Sequence, residues 1–247
     1  MSDTAPVFLV EAVPDAETFV LDGPEGRHAA AVRRLTPGSA LMVTDGAGSA
    51  ASCVVESVVG KDSLELRISQ RWHEPAPQPR IVLAQGLVKG DRGELAVELA
   101  TETGVDSVVP WRAERCVARW EEGPRGEKAL ARWRSTVREA AKQSRRAWVP
   151  PVSAPVTTAG LADLVRAAAL AVVLDAAAPS GLTDLALPAQ GDVVLVVGPE
   201  GGISERELAV LSQAGAQVAR LGPTVLRAST AAAAAIAALG VLTTRWR

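Results

Sequence analysis

Through the first seventy residues, apolar and polar positions fall into short stretches with a β-strand period. Phe8–Val10, Ser39–Thr44, Ala51–Val59 and Ser63–Ile68 alternate or run apolar with β-branched residues, so each is predicted to be a strand. Pro37-Gly38, Asp45-Gly46 and Gly60-Lys61-Asp62 are the turn signals between them. Elements this short suit a small barrel-like module. The proline-rich stretch Trp72–Pro79 reads as a linker, which sets one domain at residues 1–74 and a second at 75–247. In the second, apolar runs at Ile81–Gln85, Ser107–Trp111, Leu170–Leu174, Val193–Val197 and Val218–Leu221 alternate with helical patterns. The helices are expected at Gly93–Thr103, Lys128–Ser144, Leu161–Ala168, Glu205–Ala214 and Ser229–Leu242. That alternation predicts an α/β domain with a parallel sheet and helices on both faces. Asp91 and Glu94 have capping-box spacing at the start of the first helix.

The most informative chemistry lies in Val193–Leu208. An apolar run meets Gly198-Pro-Glu-Gly-Gly202, and Ser204 then stands three residues before Glu207, a second capping-box spacing, with Ile203 and Leu208 flanking it. The turn puts bare backbone at the carboxyl end of a buried strand, where open α/β sheets bind ligands. A helix N-terminus attracts phosphate, yet Glu200, Glu205 and Glu207 would repel an anion. A ligand with adenosine-like bulk and positive charge fits better, and S-adenosyl-L-methionine has both features. The same residues also suffice for a ligand-free strand-to-helix turn, with Glu205 and Glu207 complementing the helix dipole. The glycines lie too late in the domain for a dinucleotide-binding G-x-G-x-x-G.

Composition narrows the class. At 48% hydrophobic and 22% charged the chain is globular in character. It has no basic-then-apolar leader, and Ala231–Val241 is too short to span a bilayer, so neither export nor a membrane is expected. Cys53 and Cys116 are isolated, so no metal and no disulfide is expected, and the cytoplasm is the default location. The net charge of −2 hides an asymmetry. Arg112–Arg146 holds eleven Arg and Lys against five Asp and Glu, while the remainder holds 15 basic and 23 acidic residues. Arg134, Arg138 and Lys142 are four apart and Arg145 follows three later, so a helix would align them. Such a stripe serves phosphate contact or is simply a solvated face.

Taken in order, several segments resemble the ribosomal RNA small-subunit methyltransferase E family of the SPOUT superfamily. They are Lys89-Gly-Asp-Arg92, Ala100-Thr-Glu-Thr-Gly-Val105, Glu114-Arg-Cys-Val117, Glu139–Arg145, Gly198–Gly202 and Leu221-Gly-Pro-Thr-Val-Leu-Arg227. His28, Val32-Arg-Arg-Leu35, Gly38 and Asp45-Gly-Ala-Gly48 resemble that family's PUA-like barrel.

The resemblance implies a trefoil-knotted parallel sheet behind a PUA-like RNA-binding barrel, and a homodimer. It also implies S-adenosyl-L-methionine as cofactor, no metal, and N3 of a uridine in 16S ribosomal RNA as target. Carried onto this chain, the cofactor is held by Leu174, Gly198, Pro199, Glu200, Gly201, Gly202, Leu221, Gly222, Val225 and Leu226. Arg227 is the catalytic candidate, stabilising charge on the uracil ring, with a phosphate clamp or a salt bridge to Glu200 as its alternatives. His28, Arg34, Lys89, Arg92, Arg115, Arg138, Lys142 and Arg145 are assigned to RNA, although His28 could equally serve the fold. One departure matters: Ser229 stands where the family commonly has Glu, so that carboxylate is not available as a base. Two other functions stay open on these residues: methylation of a ribose 2′-hydroxyl, and a non-catalytic RNA-binding or assembly factor.

Overall fold

In the computed structural model, which describes residues 5–120 and 122–246, the N-terminal segments form one five-stranded sheet. Its strands are β1 (Val7–Leu9), β2 (Thr18–Leu21), β3 (Ala40–Thr44), β4 (Ser49–Val59) and β5 (Ser63–His73). Their order is β1-β3-β4-β5-β2, parallel between β1 and β3 and antiparallel elsewhere. Alternation decides which face is buried: Ala51, Cys53 and Val55 meet Phe8, Leu41, Val43, Leu64 and Leu66 in the core. Between them, the Ser57 hydroxyl donates to Glu65 across the ladder at 2.9 Å.

Three features depart from the sequence expectation. β2 was not foreseen, and neither was α1 (Gly23–Arg27) with its π-helical extension His28–Val32. β5 runs five residues past Ile68 into the expected linker, because Gln70–His73 continue the ladder against Ser49–Ser52 of β4; the Arg71 guanidinium also donates to the Pro14 and Asp15 carbonyls, both at 3.0 Å.

Contacts divide the chain after Ala76 but return Ala141–Val149 to the first unit. The Asp45–Gly48 turn receives that segment. Thr44 Oγ1 and the Gly48 N–H both donate to the Ala147 carbonyl (3.0 and 3.1 Å), and the Val149 N–H donates to Gly46. A Cβ at Gly48 would lie 2.7 Å from the Trp148 indole, so only glycine leaves room for the ring.

The second unit comprises β6 (Arg80–Gly86), α2 (Arg92–Glu102), β7 (Ser107–Trp111), α3 (Pro124–Gln143, up to Ala140), α4 (Thr158–Ala167) and β8 (Leu170–Leu174). It continues with β9 (Asp192–Val197), α5 (Glu205–Gln213), β10 (Gln217–Ala219) and α6 (Ala228–Leu242). Its sheet is wholly parallel in the order β10-β8-β9-β6-β7. The central strands read as unbroken Val, Leu and Ala because both faces are covered. Val82, Ala84, Trp111, Val194 and Val196 pack against Leu161, Val165 and Leu211 of α4 and α5, while α2 and α6 pair with each other and α6 lies against β6 and β9. The capping box expected at α2 is absent: Asp91 has an αR backbone and its side chain accepts no cap hydrogen bond. At α5 it forms in both directions, Ser204 Oγ accepting from Glu207 N and Glu207 Oε2 from Ser204 N, each at 3.1 Å. Because the strands are parallel, the segments after β6, β8 and β9 all leave from one edge of the sheet.

Candidate functional site

At that carboxyl edge lies a cavity of about 570 Å³, within the usual range for small-molecule sites. The segment after β8 contributes Leu174, Asp175 and Ala176; that after β9, Val197–Glu200, Gly202 and Ile203; the one before and into α6, Val225–Ser229. Val88, Arg92 and Arg115 close the rim. An adjoining cavity of about 120 Å³ is lined by Leu174–Ala176 and Leu221–Leu226.

Backbone makes up much of the wall, for steric reasons. A Cβ at Gly198 would sit 2.7 Å from Ile203 Cγ1, and one at Gly86, closing β6, 2.7 Å from the Pro199 nitrogen. Gly202 has φ +73 and closes the turn with its N–H on the Pro199 carbonyl at 2.9 Å, a conformation that penalises side chains. The turn therefore keeps main-chain groups accessible beside the apolar faces of Leu174, Val225 and Leu226.

The charges are arranged differently from the expected ring of three carboxylates. Of the three, Glu200 alone lines the cavity, where Asp175 is a second carboxylate; Glu200 Oε1 accepts from Lys89 N at 3.3 Å and pairs with Arg92 at 3.9 Å. Glu205 is exposed on α5, whereas Glu207 is buried behind the turn. Arg92, Arg115 and Arg227 converge on the same cavity. Arg227 is the N-cap residue of α6 without capping through its side chain, so its guanidinium and the helix N-terminus, with Ala228 and Ser229, present positive potential to one space.

Of the residues singled out for the cofactor, Leu174, Gly198, Pro199, Glu200, Gly202, Val225 and Leu226 line the larger cavity. Leu221 and Gly222 line the smaller one, and Gly201 belongs to the turn without lining either. Val88, Ile203 and Ser229 also line the site without having been assigned to the cofactor. Their signal was positional, since they directly follow a strand, follow the glycine turn or open a helix. Lys89 contributes through its main-chain N–H.

The basic residues outside this cavity separate. Arg138 is exposed on α3, and Arg34 and Arg145 are exposed with left-handed backbones, φ 53 and 57. Lys142 corrects the expected stripe. Its side chain is 5% exposed and pairs with Glu25 at 3.0 Å, so it faces the interior of the first unit rather than phosphate. His28 Nδ1 lies 3.5 Å from the same ammonium, and its ring stands edge-on to Phe8 at 5.6 Å, which gives it a place in the fold. Upstream in the stripe, Arg134 Nε donates to the Val152 carbonyl at 3.2 Å.

Neither cysteine is poised as a nucleophile. Burial pushes the Cys53 thiol to about 11. Burial also raises Cys116, and the Glu207 and Glu200 carboxylates add in that direction.

The comparisons with known proteins converge on this picture. A model of the RNA methyltransferase domain matches residues 74–240, and one of the RNA methyltransferase PUA domain matches residues 21–69. Proteins of Mycobacterium bovis and Mycobacterium tuberculosis, each named ribosomal RNA small subunit methyltransferase E, are 50% identical over 247 residues, covering 98% of this chain and 94% of theirs. A Bacillus subtilis protein of the same name is 29% identical and covers 94% of this chain and 93% of its own. Among solved structures, ribosomal RNA small subunit methyltransferase E from Neisseria gonorrhoeae bound to S-adenosyl methionine aligns with TM-score 0.84 at 29% identity, over 97% of this chain and 98% of that one. A Legionella pneumophila protein in complex with the same cofactor aligns with TM-score 0.83 at 27% identity, over 97% and 98%. With its SPOUT-type α/β domain, its PUA domain and half-identical relatives spanning its length, the chain belongs to the ribosomal RNA small subunit methyltransferase E family.

Proposed function

We propose that this protein transfers a methyl group from S-adenosyl-L-methionine to N3 of a uridine in 16S ribosomal RNA. The observation that carries the reading is the three-segment cavity built around Gly198–Gly202 in a chain of this family. The residues fit the cofactor: the cavity has the volume a nucleoside-sized ligand needs, with Gly198, Pro199 and Gly202 in its wall. Main-chain groups near Gly198, Gly202, Leu221 and Leu226 would hold adenine and ribose, with Leu174 and Val225 as apolar walls. Glu200 and Asp175 supply carboxylates on the lining. When bound, the cofactor supplies an activated methyl group on a positively charged sulfur.

The chain's own part is to orient, desolvate and stabilise charge. N3 of uracil lies on the Watson–Crick edge, so the base must enter unpaired or extruded. Arg92 and Arg115 on the rim suit the phosphates flanking such a nucleotide. As the N3 proton passes to water, negative charge spreads to the ring oxygens, and Arg227 with the α6 N-terminus stabilises it until N3 takes the methyl group. Ser229 provides no carboxylate there.

Arg34 and Arg145 in the first unit, and Arg138 on α3 of the second, extend RNA contact, so the RNA-binding part takes in Ala141–Val149 beyond residues 1–74 and the rest of 75–247 is the catalytic part. Two copies acting as a dimer in the cytoplasm complete the reading. Along α6, Ala232 and Ala235 are buried within the chain and Ala231 lines the cavity, which leaves Ala233 and Ala234 as small residues for close packing in that dimer. No described helix is long and apolar enough to cross a membrane.

Mass-spectrometric mapping of small-subunit RNA incubated with the protein and cofactor tests the reaction. A single N3-methyluridine is expected. A methylated ribose, or cofactor binding with no methylated nucleoside on either free RNA or assembled subunits, would overturn it.

A further inference from the structure

Glu207 is 1% exposed, yet among the described residues no Lys or Arg pairs with it. Neutral donors hold its carboxylate. Oε2 accepts from Ser204 N at 3.1 Å, and Oε1 accepts from Glu114 N at 2.8 Å and Thr158 Oγ1 at 3.0 Å. The Thr158 hydroxyl oxygen in turn accepts from Trp111 Nε1 at 3.2 Å. Capping α5 requires only the Ser204 arm. The other oxygen fixes the connection between β7 and α3 at the residue before Arg115.

Arg115 is seated directly on the glycine turn. A Cβ at Gly201 would lie 3.0 Å from both Arg115 Cβ and its carbonyl oxygen, and Arg115 Nη1 donates to the Gly201 carbonyl at 3.3 Å. A buried carboxylate using both oxygens on separate segments is costly unless every donor stays in place. It therefore specifies their spacing more sharply than apolar packing would.

We propose that Glu207 is a positioning residue: through the Glu114 N–H it sets Arg115 at a fixed height over the Gly198–Gly202 turn, where the target nucleotide enters. The proposal rests on the reading of Arg115 as an RNA contact and adds the group that aims it.

Glu207→Gln keeps the side-chain volume but turns an NH2 toward one of the backbone donors. It should raise the half-saturating RNA concentration about tenfold, the scale of one lost charge-assisted hydrogen bond. Calorimetric affinity for S-adenosyl-L-methionine should stay within about twofold. The salt dependence of RNA binding should flatten as much as it does in Arg115→Ala. In an Arg115→Ala background, Glu207→Gln should add less than about twofold, because the two act as one unit. Thr158→Val removes a single donor and should move RNA affinity the same way by about two- to threefold, which keeps the test decisive if Glu207→Gln fails to fold. Multiplicative effects of Arg115→Ala and Glu207→Gln would overturn the proposal, as would a parallel loss of cofactor affinity. If Arg115→Ala alone leaves RNA binding unchanged, the assignment of Arg115 to RNA fails and the proposal falls with it. If Arg115→Ala weakens binding while Glu207→Gln and Thr158→Val do not, only the positioning role is lost.

Discussion

Asp106→Ala should destabilise the protein while leaving the reaction intact. Asp106 and Arg245 form a bidentate pair, Nη1 to Oδ2 at 2.7 Å and Nη2 to Oδ1 at 3.1 Å, with side chains 7% and 6% exposed. Asp106 Oδ2 also accepts from Ile81 N at 2.7 Å, and Arg245 donates to the Pro79 and Gly104 carbonyls. The pair clasps the C-terminal segment to the starts of β6 and β7, the amino edge of the sheet. Removing the carboxylate leaves a buried guanidinium without its counter-charge and the Ile81 N–H without an acceptor, a loss of about 3–5 kcal/mol. For a protein of this size each kcal/mol moves Tm by about 2–4 °C, so thermal unfolding should come about 6–20 °C earlier. Because the candidate cavity lies at the opposite edge, kcat at 25 °C should stay within about twofold. Asp106→Leu combined with Arg245→Met should recover the part of the loss due to the unpaired charge, while the Ile81 N–H stays without its acceptor. Calorimetry beside a methyl-transfer assay reads both quantities. A Tm shift below about 2 °C, or a fall in kcat at unchanged Tm, would refute the reasoning.

Arg227→Ala should cut turnover about 10- to 100-fold with cofactor affinity held within about twofold, as expected of a group acting on charge that develops in the reaction; equal losses in both would assign it to binding. Arg138→Glu should weaken RNA binding and reduce its salt dependence, whereas Lys142→Met should lower Tm by leaving the partly buried Glu25 without this ammonium; the reverse pattern would restore the continuous basic stripe. Cys53 should resist alkylation in the folded protein at pH 8, where a thiol near 11 is about one part in a thousand thiolate. Its folded value lies above that of the unfolded chain, so its contribution to stability is intact below about pH 9 and is lost as pH rises toward 11. Modification at pH 8 as fast as in denaturant would contradict this.

The second unit was largely legible because its chemistry is local. β7 and β8 begin and end where the apolar runs do, and the Ser204–Glu207 capping box forms as its spacing implies. The glycine turn was readable for the same reason, since steric need for glycine is written in the residue type. What escaped depends on distant partners. β2 has one fully buried side chain, Leu21, and so carries little alternation. In α1, Gly26 is required because a Cβ would lie 2.4 Å from the Leu21 carbonyl, a contact invisible to periodicity. Lys142 keeps helical spacing with Arg138, but Glu25, 117 residues away, decides its role. Glu207 reads in sequence as a cap and as one of three carboxylates at the turn, because Glu114 and Thr158 lie 93 and 49 residues from it.

The claim on which everything else depends is that the Gly198–Gly202 turn cradles the methyl donor, and titrating S-adenosyl-L-methionine into the protein and its Gly198→Ala variant by calorimetry tests it most directly. The added methyl would fall 2.7 Å from Ile203 Cγ1, an overpacking of about 1–3 kcal/mol at the cavity wall. One site per chain is expected in the parent, weakened by up to about 5- to 150-fold in the variant, whose Tm should fall by about 2–12 °C from the same overpacking. Equal affinity in both proteins, or heat from neither, would contradict it.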